Sequence, residues 1–176
     1  VPRLLNYLLT PFYVRVFVSG EYGQISELYA WIALLLAILT FGMETTFFRF
    51  SQKEDSRKVF NNAETLVLLI STVFLLFYCF FYKSFAELIH YEFNTHYVLL
   101  LGIIVAVDAA AAIPFAMLRK ENKAGRFSLI KTINVLTNIF FNILFLVIIP
   151  EKSMMIAEHI FGQQTSLLIW VFVSNI

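Results

Sequence analysis

The sequence predicts an all-α fold class, a polytopic membrane helix bundle, and three observations lead to it. Of the 176 residues, 60% are apolar and only 14% are charged. Soluble domains are nearer half apolar and a quarter charged. Four apolar runs are each long enough to cross the hydrocarbon, which takes about 20 helical residues. The connections between the runs are short, so we expect neighbouring helices to pack antiparallel.

Four complete helices are expected over 25–48, 59–82, 98–118 and 127–149. Hydrocarbon offers no partner to backbone N–H and C=O groups, so each run must bond within itself as a helix. Two flanking segments, 3–18 and 164–176, are too short to span a membrane. We therefore expect residues 1–176 to form one membrane domain that is an N-terminal fragment of a longer protein. Pro150 is expected to stop a helix, and the segment after it to lie along the membrane surface.

Basic residues predict the orientation of the bundle. Eight of them lie in the connections 49–58 and 119–126, whereas the opposite side carries only Lys83 and Lys152. Cytoplasmic loops are enriched in Lys and Arg. We therefore expect both of these connections to be cytoplasmic.

Several ionisable side chains fall inside the predicted helices, and three of them, Glu44, Asp108 and Lys131, are candidates for a function. Asp108 lies near the middle of one helix, while Glu44 and Lys131 each lie about 7 Å inside a cytoplasmic end. A charge at the bilayer centre costs about 3 kcal/mol on insertion scales. Asp108 therefore either faces an aqueous path or makes a buried hydrogen bond. Glu44 and Lys131 either form a structural ion pair, face a shared hydrated interior, or are separated because Lys131 extends to the interface.

An asparagine row follows Lys131 at spacings of three, four and four, which places Asn134, Asn138 and Asn142 on one helix face. Such a row either bonds neighbouring helices together or lines a cavity. The first segment carries a similar polar side that includes Arg3 and Asn6. Arg49 closes its helix and either anchors at the interface or faces a cavity.

The sequence gives no sign of an enzyme. It has no Gly-rich phosphate loop and no nucleophile with a base at a fixed spacing. Its single Cys and three scattered His provide no set of metal ligands. A net charge of +1 gives no support for nucleic-acid binding. We expect no catalytic residue, no metal and no cofactor, and the charges inside the bundle favour transport.

Several stretches resemble a known family. "RLLNYLLTPFYVRVFVSGEYGQISELYAW" and "FGMETTFFRF" resemble the first two helices of bacterial polysaccharide biosynthesis proteins. These are the O-antigen-type lipid-linked oligosaccharide flippases of the multidrug/oligosaccharidyl-lipid/polysaccharide exporter superfamily. The matching features are "YG" after the first turn, the "GME" step, and Arg49 closing the second helix. "IPFAMLRKENKAGRFSLIKTINVLTNIFFNILFLVI" is similar to that family's fourth-to-fifth helix region.

The resemblance implies that the chain is most of the first six-helix lobe of a MATE-like flippase fold in the bacterial cytoplasmic membrane. Such a protein passes an undecaprenyl-pyrophosphate-linked oligosaccharide across that membrane for polysaccharide and lipopolysaccharide biosynthesis. Its implied partners are that lipid-linked oligosaccharide, the lipid bilayer and other polysaccharide-assembly membrane proteins. The implied substrate and cavity residues are Arg3, Asn6, Arg49, Lys131, Asn134, Asn138 and Asn142. Glu44 and Asp108 are the implied candidates for coupling to a proton or sodium gradient.

Other functions are compatible with the same sequence. A multidrug exporter of this superfamily would bind lipophilic cations in an acidic cavity. A membrane-embedded polysaccharide polymerase or ligase would need a sizeable outer loop, and the outer connections here are short. A non-transporting assembly subunit would have no need of charges inside the bundle.

Overall fold

The computed structural model describes residues 19–91, 95–161 and 167–174, and in these ranges it contains helices and no strand. The predicted helix over 3–18, with Arg3 and Asn6, lies outside the described residues. The elements are α1 (Ser19–Thr40), α2 (Met43–Phe50), α3 (Ser56–Leu88), α4 (Thr95–Lys120), α5 (Ala124–Ile143) with a π-helical end (Leu144–Ile148), α6 (Pro150–Phe161) and α7 (Ile169–Val173).

Within the described ranges, four helical stretches are long and apolar enough to cross a membrane. They are Tyr22–Phe50, which joins α1 and α2, then α3, α4 and Gly125–Ile148. Each begins within three residues of a helix predicted from the apolar runs, and α3 continues six residues beyond its predicted end. The predicted all-α class and its four membrane-length helices are therefore confirmed.

The first of these stretches is broken. Phe41 and Gly42 both have positive φ angles, 46° and 64°, a conformation that is easy for Gly and uncommon for Phe. The Phe41 N–H donates to the Ile38 carbonyl at 3.3 Å, and α2 begins with a bond from Thr46 N–H to the Gly42 carbonyl at 3.2 Å. The sequence predicted one continuous helix over 25–48, whereas the structure has two helices.

Helix α4 is at the centre of the bundle. It packs against α1, α2, α3, α5 and α7, and 50% of its most apolar stretch is buried, against 17–22% in the other three spans. Its pairing with α3 is the most extensive in the described part of the chain. There the Tyr78 ring lies directly against Gly102, and the Tyr78 hydroxyl donates to the Val98 carbonyl at 2.8 Å. Glycine allows this contact because it has no side chain.

The two basic connections lie at the same end of the bundle, which we call the basic end. Lys120, the last residue of α4, donates through Nζ to the Ser51 carbonyl and to Ser56 Oγ. At the opposite end, the buried Tyr91 hydroxyl donates to Glu27 Oε2 at 3.0 Å. Burial raises the pKa of Tyr91, and the hydrogen bond to Glu27 raises it further.

The segment after Pro150 forms a helix that the sequence analysis did not predict. Pro150 is the first residue of α6, a position where its missing N–H has no helical partner to lose. Ser153 Oγ lies 2.8 Å from the carbonyl oxygens of both Phe145 and Pro150. Trp170 donates from Nε1 to the Ser153 carbonyl at 3.2 Å and stacks on Phe145 with 4.1 Å between ring centroids. These contacts hold α6 against the π-helical end of α5.

The contact between α3 and α4 leads to a prediction for Gly102→Ala. The added Cβ would overlap the buried Tyr78 ring, and overpacking of this kind costs about 1–3 kcal/mol. We expect a lower unfolding temperature, measured by circular dichroism in detergent micelles. Gly23→Ala is the matched control because a Cβ at that helical position meets nothing within 4 Å. Equal stability of the two variants would contradict the prediction.

Candidate functional site

A groove of about 340 Å³ lies between the broken helix pair α1–α2 and the central helix α4. Its polar lining consists of Thr40 at the end of α1, Glu44 in the first turn of α2 and Asp108 in the middle of α4. Its remaining lining residues are Ala33, Leu36, Ala37 and Ala112. The two carboxylates predicted as ion-coupling candidates therefore share one groove, which opens beside the Phe41–Gly42 break.

Glu44 forms an ion pair with Arg119 near the basic end of this groove. Arg119 Nη2 lies 2.7 Å from Glu44 Oε1, and the two side chains remain 42% and 38% exposed for Glu44 and Arg119 respectively. The Arg119 guanidinium also lies 5.7 Å from the centroid of the Phe48 ring and 5.5 Å from that of Phe127. Such cation–π contacts hold the guanidinium in place. The sequence offered Lys131 as an ion-pair partner for Glu44, and the structure gives Glu44 a different one.

Lys131 lies on α5 and faces α4. Its Nζ is 4.4 Å from the centroid of the Phe115 ring, and its positive charge attracts the Asp108 carboxylate. Asp108 itself is exposed to the groove. At 1.5 Å per residue, Asp108 and Arg119 are separated by about 16 Å along α4. The groove thus has Asp108 at the middle of the span and Glu44 towards the basic end, and Lys131 lies over Phe115, between the levels of Asp108 and Arg119 on α4.

The asparagine row divides into two parts. Asn134 is exposed, whereas Asn138 and Asn142 are 8% and 0% exposed. Asn142 Nδ2 lies 2.6 Å from Ser174 Oγ and 2.9 Å from Asn138 Oδ1, and Asn138 Nδ2 donates to the Ser174 carbonyl at 3.2 Å. The two inner asparagines therefore connect α5 to the end of α7. Of the two interpretations of the row, helix packing applies to them.

Arg49 is exposed in the last turn of α2 and does not line the groove. Arg119 and Thr40 are the site residues that the sequence analysis did not single out. In the sequence, Arg119 contributes only to the predicted orientation, although its position eleven residues after Asp108 places it three helical turns away on a similar face. Thr40 carried no signal of its own, because a single Thr inside an apolar helix is common.

The two carboxylates that line the groove are Glu44 and Asp108. Among the described residues, no group of three or more His, Cys, Asp or Glu side chains lies close enough to hold a metal ion. Carboxylates at membrane depth bind protons or small cations when they face water. A groove with two carboxylates and two neighbouring cations can change its net charge by gaining or losing a single ion.

By length and composition, the four apolar helices are those of a polytopic membrane protein. No family model, curated protein or solved structure matches the chain.

The ion pair of Glu44 leads to a prediction. Glu44→Arg and Arg119→Glu should each destabilise the bundle, and the double variant should recover part of the loss, with a coupling energy of about 1 kcal/mol for this half-exposed pair. The measurement is a double-mutant cycle on unfolding free energies in micelles. Glu44→Arg combined with Lys131→Glu is the control pair and should show no recovery. Recovered stability in the control double variant, Glu44→Arg with Lys131→Glu, would contradict the observed pairing of Glu44 with Arg119.

The buried asparagines lead to a second prediction. Asn142→Ala removes hydrogen bonds to Ser174 and Asn138 and should lower the free energy of unfolding by about 1–3 kcal/mol. Asn134→Ala, two turns earlier on the same helix, should change it by less than about 0.5 kcal/mol because Asn134 is exposed. The same unfolding assay compares them. A loss in the Asn134 variant that matches the loss in the Asn142 variant would refute the packing role.

Proposed function

We propose that this chain is part of a transporter that moves a lipid-linked oligosaccharide of the undecaprenyl-pyrophosphate type across the bacterial cytoplasmic membrane. The proposal includes a MATE-like arrangement, in which the described helices belong to the first lobe. The observation that carries it is the groove shared by Asp108 and Glu44, with Arg119 and Lys131 beside it. The resemblance of the sequence to the polysaccharide flippases supports the choice of substrate.

The groove supports transport because ionisable side chains are expensive inside a membrane. Each is disfavoured at the bilayer centre unless it is paired or hydrated. Here they come from α2, α4 and α5 and meet at one side of α4. Stability alone gives no reason to keep four such residues together, since apolar packing of equal volume is commonly as stable as a buried ion pair. A hydrated path for a polar substrate or a coupling ion does give a reason.

The chemistry of the substrate fits the residues near this path. A pyrophosphate needs cations, which Lys131 and Arg119 supply beside the groove and Arg49 supplies near its end. Sugar hydroxyls need amides or hydroxyls, and Asn134 is the exposed amide of the row. A polyprenyl tail needs apolar surface, which the exposed faces of α3 and α5 provide. Asn138 and Asn142 contribute through packing.

Asp108 is the stronger candidate for ion coupling. Glu44 is already neutralised by Arg119 at 2.7 Å, so a proton or sodium ion arriving there would have to displace a guanidinium. Asp108 is exposed in the groove, and the positive charge of Lys131 attracts its carboxylate. Lys131 itself lies over the Phe115 ring. Movement of Lys131 towards or away from Asp108 would change the affinity of this carboxylate for a proton.

A multidrug exporter of the same superfamily is the second candidate, and one observation favours it. The charged side chains that line the groove itself are both acidic, whereas Arg119 and Lys131 lie beside it. An acidic lining suits lipophilic cations. The two functions differ in what accumulates when transport fails.

The coupling role leads to a prediction for Asp108→Asn in cells whose surface polysaccharide depends on this gene. Loss of the carboxylate should lower surface polysaccharide at least about tenfold, equivalent to about 1.4 kcal/mol, and lipid-linked oligosaccharide should accumulate. Immunoblotting of membranes should show unchanged insertion.

The control for Asp108→Asn is Glu54→Gln, which removes an exposed carboxylate from the connection 49–58 and should leave export unchanged. Full surface polysaccharide in the Asp108 variant would exclude a coupling role. Normal polysaccharide together with a loss of resistance to lipophilic cations would favour the multidrug exporter.

A further inference from the structure

The basic end carries a concentration of positive charge that the groove does not use. The connections 49–58 and 119–126 contain eight cations and three carboxylates. Glu44, which lies near them, brings the number of carboxylates to four. Arg119 is paired with Glu44 and Lys120 with Ser51 and Ser56. The other six cations are exposed, with Lys123 in an ion pair with Glu121, and we call them the basic cluster: Arg49, Lys53, Arg57, Lys58, Lys123 and Arg126.

The cluster is assembled from both connections. Lys120 of the second connection bonds to Ser51 and Ser56 of the first. Glu121, in the second connection, forms a hydrogen bond and an ion pair with Lys123 that lower its pKa, and the charges of Arg57 and Arg126 lower it further. Arg57 belongs to the start of α3 and Arg126 to the start of α5. Two cations from separate connections therefore act on one carboxylate, and positive charge remains in excess.

The depth of these residues points to a lipid partner. Arg57 lies in the first turn of α3 and Arg126 in the first turn of α5, where each helix enters the predicted hydrocarbon. One turn further along α5, on the face of Arg126, Leu129 and Ile130 are 60% and 42% exposed. A cation at the headgroup level with apolar side chains directly beyond it matches a phosphate and the acyl chain attached to it. A soluble anion would use only the first of these features.

We propose that the basic cluster binds the phosphate headgroups of anionic phospholipids, with Arg57 and Arg126 making the central contacts and Leu129 and Ile130 contacting the acyl chain. The lipid supplies the negative charge that the two connections lack. Each Lys or Arg near a membrane surface adds to the attraction for anionic lipids, and the effect falls off within a Debye length. Arg49 is the one residue that the cluster shares with the proposed transport path, and the central contacts at Arg57 and Arg126 do not depend on that path.

The test uses the chain in phosphatidylcholine vesicles that contain a trace of spin-labelled phosphatidylglycerol or spin-labelled phosphatidylcholine. Electron paramagnetic resonance gives the fraction of labelled lipid immobilised at the protein, and the ratio of the two fractions gives the selectivity. We expect a preference for phosphatidylglycerol that falls several-fold in the double variant Arg57→Gln, Arg126→Gln. Raising the salt concentration should lower it in the unaltered chain.

The matched control is Lys83→Gln with Lys152→Gln, which removes the same charge from exposed positions on the opposite side. Its selectivity should stay at the starting value. An equal loss in the control would show that only net charge matters and would overturn the proposed site, as would the absence of any preference for phosphatidylglycerol. Circular dichroism of each variant confirms that the helices are retained.

Discussion

Charge inside hydrocarbon has to be matched by an opposite charge, a hydrogen bond or water, and this constraint organises the described part of the bundle. Glu44 meets Arg119 at 2.7 Å, and Asp108 is attracted by Lys131. Both interactions involve the side of α4 that carries the groove. Two uncharged polar side chains follow the same rule, since Asn138 and Asn142 bond to Ser174. Glu64 Oε2, Ser71 Oγ and Asn142 Oδ1 are exceptions, because they are buried without a hydrogen-bond partner among the described residues. The positions of α2 and α5 relative to α4 are thus tied to specific polar partners, while the apolar surfaces alone would permit many arrangements.

The central helix can satisfy this constraint because much of it is small. Gly102 admits the Tyr78 ring, and the alanines from 109 to 112 keep the neighbouring helices close while leaving room for a groove. Small residues give close helix approach in membranes, where no hydrophobic effect drives helices together. Two apolar clusters are packed along this helix, one containing Leu101 and Phe172 and the other containing Phe47 and Ile113. The groove lies beside them rather than through them.

The length and apolar character of the runs were sufficient to predict four membrane-length helices, because hydrocarbon leaves a spanning backbone little choice. The break at Phe41–Gly42 was not predicted, since one Gly in an apolar run is an ambiguous signal and Phe rarely adopts a positive φ. The candidate site was predicted in part: Glu44 and Asp108 were identified by their cost at depth. Their partners were not, because depth along a helix does not give its rotation, and rotation decides whether Glu44 meets Lys131 or Arg119. The roles of Asn138 and Asn142 were left open for the same reason.

The Phe41–Gly42 break makes the first span two separate helices, α1 and α2, joined by a hinge. In an unbroken helix, bending stretches the backbone hydrogen bonds between residues four apart. These bonds resist the bend, so that the two ends of the helix move together. Here the series of bonds is already interrupted, with Phe41 turned back to Ile38 and Thr46 starting a new series from Gly42. A tilt of α2 (Met43–Phe50) would therefore leave the packing of α1 on α4 undisturbed. Three contacts resist the tilt: Glu44 with Arg119 in the first turn of this helix, the buried Phe47 ring against α3 and α4 in its middle, and Ser51 with Lys120 just beyond its end.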